Sequence, residues 1–253
     1  MLILAYPVYL SISNNYYKIL NGSNQLMIKN IIFDLDDTLL DFKRGECEGV
    51  RDILASQHVP DLEVAFEYYL ALNATIWQKI EQGYDSQPLL NTRFSDTLAH
   101  FDIQSDGRQL EAMYRTKLDH NYHVISGATT LLDNLKKRGY KLIVGTNGLA
   151  KTQYARLAGA NIQKYFDSIF ISEEIGFNKP QPQFFSHILD VDPKITIDNT
   201  VMVGDKLSAD IKGALAVNMK SIWFNPNNDQ PLSTIKPTYI AQNYQDILDI
   251  VTT

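Results

Sequence analysis

Short apolar runs alternate with amphipathic stretches along most of the chain, and the first clear run ends in carboxylates. Residues 31–33 are apolar, and Asp34, Asp36 and Asp37 follow them directly. Apolar runs of this length are typical of buried strands. Similar runs recur later, separated by stretches with helical periodicity; they span 140–146, 168–171, 200–205, 221–224 and 238–240. This alternation predicts an α/β fold with a doubly wound, Rossmann-like parallel sheet covered by helices on both faces.

The segment after the first run has helical periodicity and no strand pattern. Pro60 fits poorly in a helix interior, Asp61 is a suitable N-cap, and Gly83 is a suitable stop. The predicted helices cover residues 43–58, 61–82, 88–100 and 106–120. Because this block interrupts the strand–helix alternation, we expect residues 45–122 to form an inserted all-helical cap, and residues 27–44 and 123–253 to form the core.

Residues 1–26 differ in character from the rest of the chain. Their first twelve residues are apolar but too short to span a bilayer, and an Asn-rich connection follows. They lack the cationic segment and the clear cleavage site of a signal peptide. We interpret residues 1–26 as a disordered leader or a start-site artefact, with translation expected to begin at Met27.

Bulk composition narrows the function. The 253 residues carry a net charge of −6, and Lys and Arg form no long run, so we expect neither a nucleic-acid nor a membrane partner. Cys47 is the single cysteine, which excludes an internal disulfide and favours a reducing cytoplasm. His120 and His123 have no third ligand nearby in the sequence, and we expect them to be solvated. Composition leaves the oligomeric state open.

Polar residues follow several of the predicted strands. Thr146 and Asn147 end the second strand, Lys179 lies in the loop after the third, and Asp205 ends the fourth, with Asp210 five residues on. Each short motif alone is compatible with an ordinary turn or helix cap. Parallel strands, however, place their carboxyl ends at one edge of the sheet. The ordered set therefore predicts one crevice that contains all of these side chains together with Asp34 and Asp36.

Phosphoryl transfer would give each of these residues a chemical role. Asp34 is the candidate nucleophile, and Asp36, two residues on, is the candidate acid and base. Asp34 and Asp205 suit Mg²⁺, with the main-chain carbonyl of Asp36 as a third ligand. Lys179 supplies a cation and Thr146 supplies hydrogen-bond donors for the phosphoryl oxygens. Asp210 is expected to orient the metal-bound waters or Lys179 without itself ligating the metal. Asp37 is expected to point away from the site.

The motif set resembles that of the haloacid dehalogenase-like (HAD) superfamily. The matching motifs are Asp34-x-Asp36-x-Thr38, Thr146-Asn147-Gly148, Lys179-Pro180 and Gly204-Asp205 followed by Asp210. The helical insert resembles the C1-type cap, and fuller stretches around residues 33–39, 171–176 and 201–205 resemble the noncanonical pyrimidine 5′-nucleotidases. The resemblance implies Asp34 as nucleophile, Asp36 as acid/base, and Asp34, Asp36 and Asp205 as the Mg²⁺ site. It also implies phosphate binding by Thr146, Asn147 and Lys179.

Substrate choice is expected to lie in the cap. Most of the cap aromatics should pack in its own core, while one or two could stack on a pyrimidine ring; they are Phe66, Tyr68, Tyr69, Trp77, Tyr84 and Phe94. Arg93 is a candidate for contact with a base carbonyl or a phosphate, although the sequence favours an exposed surface arginine. The expected activity is Mg²⁺-dependent hydrolysis of a nucleoside 5′-monophosphate. A phosphatase for a small sugar phosphate or phosphoglycolate, and an inactive phosphate-binding protein, are the alternatives.

Overall fold

The computed structural model describes residues 27–230 and 234–253; the predicted leader, 1–26, lies outside the described residues. A six-stranded sheet forms the centre, in the order β3-β2-β1-β4-β5-β6. All five strand pairings are parallel. The strands are β1 Asn30–Phe33, β2 Lys141–Thr146, β3 Ser168–Ile171, β4 Thr200–Gly204, β5 Lys220–Phe224 and β6 Tyr239–Ala241. The predicted parallel, Rossmann-like sheet is confirmed.

The alternation of side chains along β1 divides the core between the two faces of the sheet. Ile31 and Phe33 belong to one hydrophobic cluster, and Ile32 belongs to another on the opposite face. Because both faces are covered by helices, all four residues of β1 are buried. The core helices are α5 Ala128–Lys137, α6 Ala150–Gly159, α7 Ser172–Ile175, α8 Pro182–Val191, α9 Lys212–Ala216 and α10 Tyr244–Thr252.

Four helices between β1 and β2 pack around a hydrophobic cluster of their own. They are α1 Phe42–Ser56, α2 Leu62–Glu81, α3 Ser86–Ala99 and α4 Gly107–Asp119. Each starts at an aspartate whose carboxylate accepts backbone N–H bonds of the first turn; these N-caps are Asp41, Asp61, Asp85 and Asp106. We propose that this helical block is the cap domain predicted from the sequence.

The two connections between cap and core run side by side. Leu40 pairs with Val124 as an antiparallel bridge. The N–H of Asp41 donates to the carbonyl of His123 at 2.8 Å, and the N–H of Ile125 donates to the carbonyl of Leu39 at 3.0 Å. Both connections therefore leave the sheet together, directly beside the carboxyl end of β1.

One helix departs from regular α-helical geometry close to the site. A wide π-helical turn, Leu207–Ile211, precedes α9. Asp210 lies in this turn with no solvent exposure, and its carboxylate accepts the N–H of Lys206 at 3.0 Å. The wider turn thus brings the Asp210 carboxylate inward, where a polar side chain needs buried partners.

Within residues 27–230 and 234–253, every helix is too short or too polar to cross a membrane.

Candidate active site

The carboxyl ends of β1 and β4 meet where the strand order reverses. From β1 the chain proceeds to β2 and β3 on one side and then returns to β4 on the other. In such sheets the crevice at this reversal is the usual place for a ligand. Asp34 follows β1 and Asp205 follows β4, so the topology brings their carboxylates together at this crevice, as the sequence predicted.

Lys179 lies at the centre of the crevice as a buried ammonium. Its Nζ donates to Asp34 Oδ1 at 2.8 Å, to Asp210 Oδ1 at 2.7 Å and to the carbonyl of Gly145 at 2.7 Å. These three bonds use all three of its N–H groups. Burial lowers the pKa of Lys179, but Asp210 and Asp34 outweigh it and the pKa is raised. Lys179 therefore remains a cation at neutral pH.

The carboxylates gathered near Lys179 repel one another. Burial raises the pKa of Asp34 to about 7, against the opposing effect of Lys179 and with added repulsion from Asp210. Burial, followed by the charges of Asp210 and Asp34, raises the pKa of Asp205 well above its usual value. Oxygens of Asp34, Asp205 and Asp210 lie within 4.8 Å of one another. A divalent cation would relieve this repulsion, and oxygen donors suit Mg²⁺.

Asp210 differs from the other two carboxylates because both of its oxygens are already bonded. Oδ1 accepts from Lys179 Nζ, and Oδ2 accepts from the N–H of Lys206. A Cβ on Gly204 would collide with this carboxylate, so a glycine before Asp205 is what lets Asp210 come so close. Asp210 thus contacts Lys179 directly, and its role in orienting metal waters or Lys179 stays a prediction.

Asp205 is fixed by contacts with other elements. Its N–H donates to Thr38 Oγ1 at 3.1 Å, and its carbonyl accepts from the indole N–H of Trp223 at 2.8 Å. The Thr38 hydroxyl also lies 3.3 Å from Asp205 Oδ1. The threonine of the first motif thus orients the carboxylate of the fourth motif across the β1–β4 pair.

Asp36 and Asp37 have separate environments. The side chain of Asp36 is 26% exposed and forms an ion pair with Arg156. Gln153 Nε2 donates to its other oxygen, Oδ2, at 3.1 Å. Asp37 was expected to point away in an extended chain, but its φ is 54°, and its carboxylate accepts the N–H of Lys43 at 3.0 Å. Asp37 lies in the wall of the cavity that contains Asp34 rather than outside the site, and its carboxylate stabilises the start of α1.

Thr146 and Asn147, both predicted to bind phosphate, have side chains that are engaged within the protein. Thr146 is fully buried, and its Oγ1 accepts from Gln153 Nε2 at 2.8 Å. The Asn147 amide donates to the carbonyl of Lys179 at 2.9 Å and accepts its N–H at 2.8 Å. The Asn147 side chain thus holds the backbone of Lys179, and phosphate binding by Thr146 and Asn147 stays a prediction.

A cavity of about 450 Å³ extends from Asp34 to the cap. Its wall includes Trp77 and Phe42, together with polar side chains of α2 and α4. The other cap aromatics lie elsewhere. Phe66, Tyr69 and Phe94 are buried in the cap cluster, whereas Tyr68 and Tyr84 are exposed. Of the six cap aromatics considered from the sequence, Trp77 is the one in this wall.

Arg93 lines the same cavity, but its guanidinium is bonded inside the cap. Nε and Nη2 donate to the two oxygens of Glu111, each at 2.8 Å, and Nη1 donates to Asn73 Oδ1 at 3.0 Å. Arg93 is 2% exposed. Arg115 Nε also donates to Glu111, at 2.6 Å, while its buried Nη2 has no partner among the described residues. We therefore move the proposed substrate contact from Arg93 to Arg115, because Arg93 is committed to Glu111 and Asn73.

Gln153 and Arg156 were not anticipated from the sequence. They lie three residues apart on α6, which follows the Thr146-Asn147-Gly148 motif directly. Both are buried on the face that also carries Leu157. Polar residues at helical spacing on an inward face were the available signal, since such side chains need buried partners.

Several known proteins resemble this chain over most of its length. A pyrimidine 5′-nucleotidase of Streptococcus pneumoniae, PynA, is 36% identical over 88% of this chain and 95% of its own length. A pyrimidine 5′-nucleotidase of Escherichia coli, YjjG, is 26% identical over 86% of this chain and 95% of its own length. The magnesium-bound crystal structure of the Bacillus subtilis HAD-hydrolase YfnB superposes with a TM-score of 0.82 at 32% identity, covering 90% of this chain and all of that one.

The four motifs lie at one sheet edge, and the sequence between them matches a single family profile. That profile, described as haloacid dehalogenase-like hydrolase, matches residues 31–224. The match spans the strands that carry Asp34, Thr146 and Asp205, as well as the helical insert between the first two. The chain therefore belongs to the haloacid dehalogenase-like hydrolase family.

Proposed function

We propose that the protein is a Mg²⁺-dependent phosphatase that acts through an aspartyl-phosphate and prefers pyrimidine nucleoside 5′-monophosphates. The observation that carries this proposal is the division of labour between two carboxylates. Asp34 is bonded to Lys179 beside Asp205, whereas Asp36 is held apart by Gln153 and Arg156. Separate environments for a nucleophile and a proton carrier are what the reaction requires.

The chain's own residues supply the steps of the reaction. An Asp34 oxygen attacks phosphorus, and Asp36 gives its proton to the leaving 5′ oxygen as the P–O bond breaks. Asp36 then takes a proton from the water whose oxygen attacks the aspartyl-phosphate, which restores Asp34 and releases phosphate. Lys179 stays protonated throughout and stabilises both Asp34 and the transferring oxygens.

The acidic cluster supports a divalent ion at the same place. Asp34 is buried and Asp205 half-buried, the two lie close together, and both have raised pKa values, so their carboxylates fit a cation better than they fit one another. They would hold Mg²⁺ together with the main-chain carbonyl of Asp36. When bound, the ion supplies charge neutralisation and Lewis acidity at the phosphoryl oxygens.

Asp36 favours a phosphate ester over an organic halide as substrate. A halide leaves without a proton, so a dehalogenase has no need for an acid at this position. An alkoxide is a poor leaving group and needs one. A carboxylate at residue 36, held by two buried side chains, therefore supports hydrolysis of phosphate esters.

The cavity wall and the relatives support a nucleotide as the substrate. Trp77 and Phe42 offer aromatic surface to a base, and Arg115, whose Nη2 has no partner among the described residues, lies in the same wall. The wall also has Asn73 and Gln78, whose amides suit ribose hydroxyls or base edges. Two relatives across most of the chain are named pyrimidine 5′-nucleotidases.

A phosphate-release panel tests both parts of the proposal. The purified protein is assayed on UMP, dUMP, dTMP, ribose 5-phosphate and phosphoglycolate, with Mg²⁺ and with EDTA. Asp34→Asn is the test variant, and Asp249→Asn, an exposed carboxylate on α10, is the matched control. We expect activity that disappears with EDTA and in Asp34→Asn but persists in Asp249→Asn.

Two outcomes would separate errors in mechanism from errors in substrate. Activity that survives EDTA or Asp34→Asn contradicts the mechanism. Equal rates on pyrimidine nucleotides and on the two small phosphates contradict only the substrate preference and favour a sugar-phosphate or phosphoglycolate enzyme. Tight binding of a phosphate ligand without turnover on any substrate favours a binding protein.

A further inference from the structure

Arg156 is a charged side chain in the interior of the core domain. It lies on α6 with no solvent exposure and is among the largest fully buried side chains of the described residues. Removing a guanidinium from water is costly unless charged or polar partners compensate. Its partners therefore indicate why the chain keeps a cation there.

The partners of Arg156 include the proposed acid/base. Its Nη1 pairs with Asp36 Oδ1 and also donates to Gln153 Oε1 at 2.9 Å. Gln153 in turn donates through Nε2 to Asp36 Oδ2 at 3.1 Å. The two α6 side chains thus hold both oxygens of one carboxylate, which fixes the rotation of the Asp36 carboxyl group.

The guanidinium is itself anchored at the two connections between cap and core. Its Nε donates to the carbonyl of Asn121 at 3.1 Å, and its Cζ lies 5.3 Å from the ring centroid of Phe42. Asn121 follows α4, and Phe42 begins α1. Through Arg156, the position of Asp36 is therefore coupled to the two segments at which the cap begins and ends.

Stability alone does not explain this arrangement. Arg156 Nη2 is buried and has no hydrogen-bond partner among the described residues. Leaving a buried donor of a charged group unsatisfied is costly, and an apolar side chain in the same helix would avoid that cost. Arg156 also belongs to the wall of the cavity that contains Asp34.

We propose that Arg156 is a positioning residue that, with Gln153, holds Asp36 in the orientation needed for proton transfer to the leaving oxygen. The inference rests on the proposed function, because Asp36 must be the acid for its orientation to affect the rate. The proton balance is unchanged: Asp36 gives one proton to the ester oxygen and takes one from the attacking water. Arg156 remains protonated and exchanges no proton with the substrate.

The dependence on the leaving group distinguishes positioning from simple structural support. UMP releases an alkoxide that needs a proton, whereas para-nitrophenyl phosphate releases a phenolate that needs little help. The value of kcat/KM covers the steps up to release of the alcohol, so it isolates this contribution. The experiment compares kcat/KM on both substrates, with Mg²⁺, for the wild type and for Arg156→Met, Arg156→Lys, Gln153→Met and Asp36→Asn. The control is Arg138→Met, which replaces an exposed arginine after α5.

We expect Arg156→Met to lower kcat/KM for UMP at least about tenfold more than for para-nitrophenyl phosphate, a fraction of the ~10²–10⁴ that acid–base catalysis contributes. Asp36→Asn should show a larger difference between the losses on the two substrates. Arg156→Lys and Gln153→Met should show a smaller difference, and Arg138→Met should show no loss on either substrate. Equal losses on the two substrates would overturn the positioning role, and so would full UMP activity in Arg156→Met.

Two further outcomes keep the inference separate from the proposed function. If Arg156→Met does not fold, Arg156→Lys and Gln153→Met carry the same comparison, and equal losses on both substrates there overturn the inference. If Asp36→Asn itself lacks the selectivity for UMP, Asp36 is not the acid. The proposed mechanism then fails, and the role of Arg156 fails with it.

Discussion

Asp34 should make the metal-free protein less stable as the pH rises, and Asp34→Asn should remove that effect. The pKa of Asp34 is raised to about 7 by burial, from 3.8 in an unfolded chain. Between these values the folded state binds the proton more tightly than the unfolded state. The free energy of unfolding therefore falls as the pH rises through this window, which is opposite to the behaviour of a salt-bridged aspartate with a lowered pKa.

The size of the effect follows from the two pKa values. Each pH unit between them corresponds to about 1.4 kcal/mol, and roughly three units separate 3.8 from 7. The stabilising contribution of the protonated form is complete below about pH 4 and is lost by about pH 7, a total of about 4 kcal/mol. Between about pH 5 and pH 8 the expected loss is about 3 kcal/mol. Asparagine does not titrate, and its amide still fits the space.

Urea unfolding in EDTA across this pH range measures the difference directly. The free energy of unfolding of Asp34→Asn minus that of the wild type should rise by about 3 kcal/mol from about pH 5 to pH 8. Mg²⁺ should restore the wild type most strongly at high pH, because a proton and the cation compete for the same carboxylate. Asp249→Asn, the control, should follow the wild type. If the wild-type and Asp34→Asn profiles run parallel, the buried, proton-binding character assigned to Asp34 is wrong.

Three further substitutions test other contacts of the site. Lys179→Met leaves the Asp34 and Asp210 carboxylates without their ammonium and should lower the free energy of unfolding by about 3–5 kcal/mol in a urea titration; a loss below about 1 kcal/mol would contradict the contacts described. Gly204→Ala places a methyl group against Asp210. It should lower the free energy of unfolding by about 1–3 kcal/mol and should also reduce phosphate-release activity. A fully stable, active variant would show that the close approach of Asp210 to residue 204 is unimportant. Arg115→Met should raise KM for UMP about tenfold, the value of one charged hydrogen bond, without changing KM for ribose 5-phosphate. Arg108→Met, an exposed arginine on the same helix, is its control, and equal changes on both substrates would place Arg115 outside base recognition.

The sheet and the position of the site were predictable because local patterns encode them. An apolar run such as residues 31–33 requires cover on both faces, and parallel pairing then brings the residues after each strand to one edge. Asp34, Lys179 and Asp205 could therefore be placed together without knowledge of the strand order. The order itself, and with it the neighbouring positions of β1 and β4, depends on tertiary packing that no local window contains.

The partners of individual side chains were not predictable. Asp36 and Arg156 are 120 residues apart, and nothing near either one in the sequence identifies the other. Arg93 and Glu111 lie on successive cap helices, and their contact depends on how α3 and α4 pack. Asp37 was assigned from strand geometry, whereas its positive φ arises where the chain turns from β1 toward α1. In each case the sequence contained the residue type, and packing decided the contact.

The buried cations of this acidic chain are concentrated around one cavity. Arg93, Arg156 and Lys179 are among the largest fully buried side chains of the described residues, and all three line the cavity that contains Asp34. Arg93 pairs with Glu111, Arg156 pairs with Asp36, and Lys179 pairs with both Asp34 and Asp210.

Buried ion pairs are weak sources of stability, since apolar residues of similar volume often stabilise the fold as well or better. Paired charges also add little net field, but they fix donors and acceptors in direction. Oriented groups within a low-dielectric wall discriminate between ligands more sharply than a diffuse charged surface does. On the proposed mechanism, such a cavity would bind a small polar ester with its phosphate near Lys179, its leaving oxygen near Asp36 and its remaining polar groups near the cap.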